Sequence, residues 1–461
     1  MNTSLNNTNN KISDINDNNN IKNPSHFILE ILLDKMSYIK YGPSDIIFSF
    51  GNNKLNQTTH DGYDMLTLPR LVYKLCDIKI KKIFSGYDYN FVIDNENNVY
   101  SWGDNSSGQC GLGDKILIKS PKQLFFPELT EDDYIDNIIC GNSFTYFISN
   151  NNKIFLCGFN IILKKYSYNP TLLDLGFDSN IIQIKSGEDF ILFLTDKGNV
   201  YSMGFGSEGQ LGIKNISNLS EYEHKKYCSK PTKILNSIKL ISCGYKHSFA
   251  ISYNGEILGW GKNNKGQLGL NFCEETKGGE ENCNVLIPEQ IEYYFEDIEI
   301  KNIICGKNFT FFQTNNNELL GCGNNDKDQL GIQDNNNKQK LVTKMCSDYI
   351  IPTEIEQFSL LKVIKISCGE EHSLAIIQDT ISNLINIWCW GANNYGQLGL
   401  GSYINVSKPR PNHYLLEFIN HNPIDISTGR NHSIVLLQRK DYNELNNNDT
   451  LTELIFKYSK I

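Results

Sequence analysis

One pattern recurs along nearly the whole chain, and it leaves little freedom in what the chain can fold into. Its clearest copy is ISCGYKHSFAISYNGEILGWGKNNKGQLGL, residues 241–270. Clear copies also start at 185 (KSGEDFILFLTDKGNVYSMGFGSEGQLGI) and at 366 (ISCGEEHSLAII, continuing to IWCWGANNYGQLGL), and three weaker ones contain FSGYDYN, ICGNSFT and ICGKNFT. Self-similarity at this spacing marks an array of supersecondary units that bury their apolar faces against one another.

Counting the anchors fixes the architecture. The first-turn glycines are Gly86, Gly141, Gly187, Gly244, Gly306, Gly369 and Gly429. A second set, each after an aromatic or small residue, is Gly51, Gly103, Gly158, Gly204, Gly261, Gly323 and Gly391. The sets are equal in size but out of phase. Gly429 has no second-set glycine after it, and Gly51 has no first-turn glycine before it. An open solenoid has no reason to be incomplete at both ends in complementary fashion, whereas a closed ring does. The expectation is an all-β, seven-bladed β-propeller over residues 45–440. An N-terminal strand, IIFSFGNN at 46–53, would complete the last blade.

Local chemistry agrees. SFAIS, ILFLT and SLAII are short, branched and aromatic, as strands are. DNEN, TDKG, SYNG and TNNN separate such runs and read as hairpin turns, because Asn and Gly tolerate positive φ. Pro-x-x-aliphatic recurs at Pro69, Pro121, Pro170, Pro231, Pro288 and Pro352, and less cleanly at Pro409. Proline lacks a backbone donor and suits an edge strand, so these mark the entry to each blade's outermost strand. Ring closure also removes free sheet edges.

A length of 461 residues would by itself suggest two or three domains; the repeat overrules that count. Hydrophobic residues at 40% and aromatics at 11% suffice for an ordered core. The net charge of -9 argues against nucleic acid as the main ligand, since phosphate contacts need a basic face. Of thirteen cysteines, Cys140, Cys243, Cys305 and Cys368 each precede a first-turn glycine, and Cys157 and Cys322 a second-set glycine. They read as small buried apolar residues. There is no C-x-x-C, and no paired histidines follow Cys273 and Cys283 at finger spacing, so neither metal nor disulfide is expected. Unpaired thiols fit a reducing compartment, inside the cell, nuclear or cytoplasmic. No apolar run approaches the roughly 18 residues of a membrane span.

Outside the ring, residues 1–24 are polar and Asn-rich and are expected to be disordered. Phe27, Ile28, Leu32, Met36 and Ile39 carry helical spacing, with Ser25 as a possible cap, which places a helix in 25–44. A second short helix is expected from 444, within the C-terminal segment 441–461. The acidic loop NFCEETKGGEENCN, 271–284, reads as a solvated surface loop, with attraction of a basic partner as the alternative.

C-G-x-x-H-[ST], then W-G-x-N-x-x-G-Q-L-G, then K-P resembles the repeat of the RCC1 family, over about residues 45–440. The resemblance implies a propeller that binds proteins through its flat faces and needs no cofactor. The founding member is a guanine-nucleotide exchange factor for the small GTPase Ran and docks on chromatin; many relatives are not exchange factors. Two residues carry over as candidate partner contacts: Asp189, an acidic turn position in G-E-D-F, and His432, the histidine of the last turn in G-R-N-H-S. Other positions depart. Asn142 stands where an acid is expected, Lys54 lies near another, and the segment at the family's protruding wedge, 159–170, is short and lacks G-Q-L-G. The tail lacks the basic charge that chromatin docking by that route uses.

His247, His372 and His432 share one repeat position, so a ring spaces them too far apart to build a metal or catalytic site. Hydrogen bonding to the neighbouring turn is their expected role. Gly204-Phe-Gly206 lacks the helix and Lys-Ser/Thr of a phosphate loop. The first turns hold residues such as Tyr87 and Tyr245 rather than the tryptophans of the family's light-sensing branch. No set of acids or nucleophiles converges, so no bond-making chemistry is expected. The residues leave two functions open: nucleotide exchange on a Ran-like GTPase, or a monomeric scaffold that holds other proteins.

Overall fold

The computed structural model describes residues 45–439, except 77, 161–163, 178, 215–219, 223–224, 271–273, 276–280, 292–297, 333–347, 359–360, 417 and 419–420. The expected tail 1–24, the helix in 25–44 and the segment 441–461 lie outside the described residues.

The alternating runs form seven antiparallel sheets whose main strands number four each. The first five blades begin with the inner strands Ile80–Ser85, Ile135–Cys140, Ile181–Ser186, Ile238–Cys243 and Ile300–Cys305. The inner strands Leu361–Cys368 and His421–Thr428 begin the sixth and seventh. Each inner strand lies beside the inner strands of the two adjacent blades, and the seventh lies beside the first, so the ring is closed. The second strands, such as Phe190–Thr195 and His247–Ser252, are buried along their whole length. This is why their sequences are apolar on both faces rather than alternating.

Closure follows the phase argument and goes one strand further. Ile46–Asn52 pairs antiparallel with His432–Arg439, from Ile46 opposite Leu437 to Gly51 opposite His432. Met65–Leu71 then adds as the outermost strand, so the N-terminal segment supplies two strands of the seventh blade, not one.

The prolines sit inside the outermost strands rather than at their entry. Pro69, Pro121, Pro170, Pro231, Pro288, Pro352 and Pro409 each fall where the register shifts against a second-set glycine. A bulge is where a missing N–H costs no ladder bond. Between the second and third strands, Asn97, Gly198, Gly255 and Asn317 take the positive φ expected of the hairpin turns.

One cysteine reading is corrected. Cys283 is disulfide-bonded, with a partner outside the described residues. Part of that acidic loop forms a small ladder, Glu274–Glu275 with Glu281–Asn282.

Candidate functional site

The turns that open with the first-turn glycines gather at one end of the central channel. The reason for glycine there is close packing, not positive φ: none of the seven has a positive φ. A Cβ on Gly369 would lie 2.2 Å from His372 Cε1 and 2.7 Å from the carbonyl oxygen of Gly429 in the next blade. The backbone itself therefore rims the channel. The second-set glycines are the ones that need left-handed backbone, as at Gly204 with φ +122°.

The residue after each first-turn glycine forms a ring around the mouth. Backbone bonds stitch it from blade to blade: Glu188 N to Tyr245 O (2.9 Å), Glu370 N to Arg430 O (3.2 Å) and Arg430 N to Tyr87 O (2.8 Å). Side chains add a charged network. Glu370 accepts from Lys307 and from Arg430 Nε (2.8 Å), and Glu188 accepts from Tyr245 Oη (2.5 Å). Arg430 also lies over the Tyr87 ring at 5.4 Å.

The next turn position carries acids in three blades: Asp88, Asp189 and Glu371. Burial pushes the Asp88 carboxyl up to about 6, against the pull of Arg430; Asp104 and Glu370 add to the rise, and Gln57 Nε2 donates to it at 3.0 Å. Asp189 is half-buried, and its carbonyl accepts from Phe205 N at 2.9 Å. It edges a cavity of about 20 Å³ between the second and third blades, shared with Phe144, Ile191 and Met203. Asn142 sits in the mouth ring, its N–H on Glu188 O at 3.3 Å, and Lys54 is exposed.

His432 takes the inter-blade hydrogen-bonding role expected of its repeat position. Its side chain is 0% exposed and its Nε2 meets Asn90 Oδ1 at 2.7 Å, across the seam between the last blade and the first. His372 meets Ser433 Oγ and His247 meets Thr310 Oγ1, both at 3.0 Å. Burial pushes all three imidazoles down to about 3, so they are neutral inter-blade bridges. A partner on the surface does not reach the His432 ring.

The Gln of G-Q-L-G explains the seams. Gln210 O accepts Ser248 Oγ (3.0 Å) and Trp260 Nε1 (2.9 Å) of the following blade; Gln329 O accepts Ser373 (3.2 Å) and Trp390 (2.9 Å). Gln57, from the N-terminal segment, does the same for Asn90 and Trp102. The second blade has no such Gln, and the facing positions in the third are Ile191 and Met203, both 2% exposed or less. The donor and the acceptor have been lost together, so no polar group is stranded. In place of the usual loop, Phe159–Asn160 pairs with Lys165–Tyr166, a hairpin arm whose Tyr166 is exposed.

Sequence reasoning singled out Asp189 but missed Asp88, Glu371 and the Glu370–Lys307–Arg430 network. Their shared register in the repeat was the available signal. Among the described residues no group of three or more His, Cys, Asp or Glu could hold a metal ion, and no helix is long and apolar enough to cross a membrane.

The RCC1-like domain model matches residues 47–435. The chain belongs to the RCC1-like domain family. It is 23% identical over 390 residues to the ultraviolet-B receptor UVR8 of Arabidopsis thaliana, covering 84% of this chain and 70% of the receptor. The guanine nucleotide exchange factor SRM1 of Saccharomyces cerevisiae is 24% identical, covering 71% and 72%. Against the kinase Nek9 of Mus musculus the chain is 25% identical but spans only 36% of that protein. The fold matches the crystal structure of Prp20p from Saccharomyces cerevisiae with a TM-score of 0.75 at 21% identity, covering 92% of this chain and 98% of that one.

Proposed function

We propose that this propeller is a guanine-nucleotide exchange factor for a Ran-like small GTPase, acting through its turn face. The observation that carries the reading is the acidic turn position repeated around the mouth, Asp88, Asp189 and Glu371, beside the paired Phe159–Asn160 and Lys165–Tyr166. The comparisons support it: SRM1 is named a guanine nucleotide exchange factor, and the Prp20p structure is described with binding properties toward Gsp1p and histones. In this reading the protein works as a monomer inside the cell, its partner a protein.

Exchange breaks no covalent bond. It requires that the propeller bind the nucleotide-free GTPase more tightly than the loaded one. Carboxylates at the interface attract the basic groups that otherwise hold phosphate and repel the phosphates themselves. Asp88 is poised for this, because a partly desolvated carboxyl gains most from an incoming cation. The hairpin arm gives the face a relief feature against which a partner can register. A scaffold that holds a different protein is the second reading, favoured by Asn142 and Lys54 in place of acids.

The test is release of a fluorescent guanine nucleotide from Ran at micromolar propeller. The wild type is expected to accelerate release. Asp189→Ala and Asp88→Ala should each slow it about ten- to a hundred-fold, the loss of one charge-assisted hydrogen bond. His432→Ala should lower stability and leave the release rate per folded molecule unchanged. No acceleration by folded wild type would leave the scaffold reading standing.

A further inference from the structure

The outermost strand of the first blade, Ile118–Leu124, carries Pro121, and the residue before that proline sets this blade apart. At the other prolines of this register the preceding residue is Leu68, Asn169, Lys230, Ile287, Ile351 or Lys408. Here it is Ser120, with Lys122 just beyond the proline. Of the chain's 12 prolines, no other follows a Ser or a Thr. Ser-Pro with a basic residue close behind is the pattern that proline-directed protein kinases accept.

The fold presents this serine in a usable form. Ile118 lies opposite Gly103 and pairing resumes with Lys122 opposite Ser101, so Lys119, Ser120 and Pro121 sit in the bulge with no partner residue on Val99–Gly103. Among the described residues no strand pairs with the other side of Ile118–Leu124, which is the edge of its sheet. Lys119 and Lys122 are exposed and Ser120 is half-buried. The segment is therefore extended and held by side chains rather than by the ladder, so a kinase cleft can engage it without unpairing the sheet. A cation is already in place. Lys74 Nζ donates to Ser120 Oγ at 3.1 Å. Lys74 lies in the short turn Tyr73–Leu75, which follows Met65–Leu71 and so joins the closing segment of the seventh blade to the first blade. Lys119 meets Asp61 of the same closing segment at 3.3 Å. Both contacts cross the seam at which the circle closes.

We propose that Ser120 is a phosphorylation site for a proline-directed kinase, and that Lys74 holds the phosphate as a latch across the closure seam. The γ-phosphorus of MgATP forms a bond to Ser120 Oγ as its bond to the bridging oxygen breaks; ADP leaves, and the hydroxyl proton passes to the carboxylate base of the kinase. A phosphoserine carries about −1.5 to −2 charges at neutral pH and three acceptor oxygens. The contact from Lys74 thereby changes from a bond to a neutral hydroxyl into an ion-paired one, roughly twice as strong. It fastens the N-terminal segment that completes the seventh blade to the outer strand of the first, and so opposes opening of the ring.

The full chain is incubated with MgATP and a cyclin-dependent kinase, the phosphate is located by mass spectrometry, and melting is followed by calorimetry at low salt. Wild type is expected to carry phosphate at Ser120 and to melt about 1–3 °C higher than the untreated protein. Ser120→Ala should melt at the same temperature with and without kinase treatment. Lys74→Met should take up the phosphate and show no rise; Lys74 is exposed, so this variant keeps the fold. Absence of phosphate at Ser120 in wild type overturns the site. A phosphorylated wild type with no rise in melting temperature, or a rise that survives in Lys74→Met, overturns the latch.

Discussion

Removing residues 1–55 deletes the strand that closes the ring, and its cost can be worked from the seventh blade. Ile46, Ile47, Phe48 and Phe50 are each 5% exposed or less. Burying a side chain of this size contributes about 1.5–3 kcal/mol, so the four together contribute roughly 6–12 kcal/mol. The deletion also unpairs the ladder against His432–Leu437 and leaves Met65–Leu71 with no strand to pair with. A domain's whole stability is about 5–15 kcal/mol. The truncated protein is therefore expected to show no cooperative unfolding transition by calorimetry. Deleting only residues 1–24 should leave the melting temperature unchanged. The point variant Phe50→Ala should cost about 3–5 kcal/mol in urea unfolding, because its ring is fully buried. If the 1–55 deletion melts like the full chain, the closure argument is wrong.

Gly369→Ala should cost roughly 1–3 kcal/mol in urea, since the added methyl overlaps His372 and the Gly429 carbonyl; unchanged stability would remove the packing explanation. Buried neutral histidines bind no proton until about pH 3, whereas their unfolded counterparts do so below about 6.5, so stability falls as pH drops through that window. His372→Asn removes one such proton, and its stability should fall about 1.4 kcal/mol per pH unit less steeply between roughly pH 4 and 6. Equal slopes would mean His372 is charged in the fold. Ser248→Ala and Trp260→Phe each leave Gln210 O one donor, whereas the double variant strands it; a double-mutant cycle should show an extra cost of about 1–3 kcal/mol, and strict additivity would deny the shared acceptor.

The repeat made the ring legible before any coordinates. Two glycine sets out of phase at the ends require a closed circle, and the turns at Asn97 and Gly198 took the positive φ that DNEN and TDKG require. These are local demands of backbone, and residue type answers them directly. The turn position of Asp189 could be read for the same reason.

What faced inward was not legible. The repeat position of His432 pointed to a bond with the neighbouring turn, but only closure names Asn90, at the other end of the chain, as its partner. Asp88 looks ordinary until burial and the charges of Arg430, Asp104 and Glu370 act on it together. The loss of a Gln in one blade and of its donors in the next is invisible until the two blades share a seam. The sequence by itself determined the number of blades and where the circle closes, because spacing encodes backbone geometry. Tertiary structure alone decided which side chains meet across blades, because burial and charge at a seam are set by residues far apart in the chain.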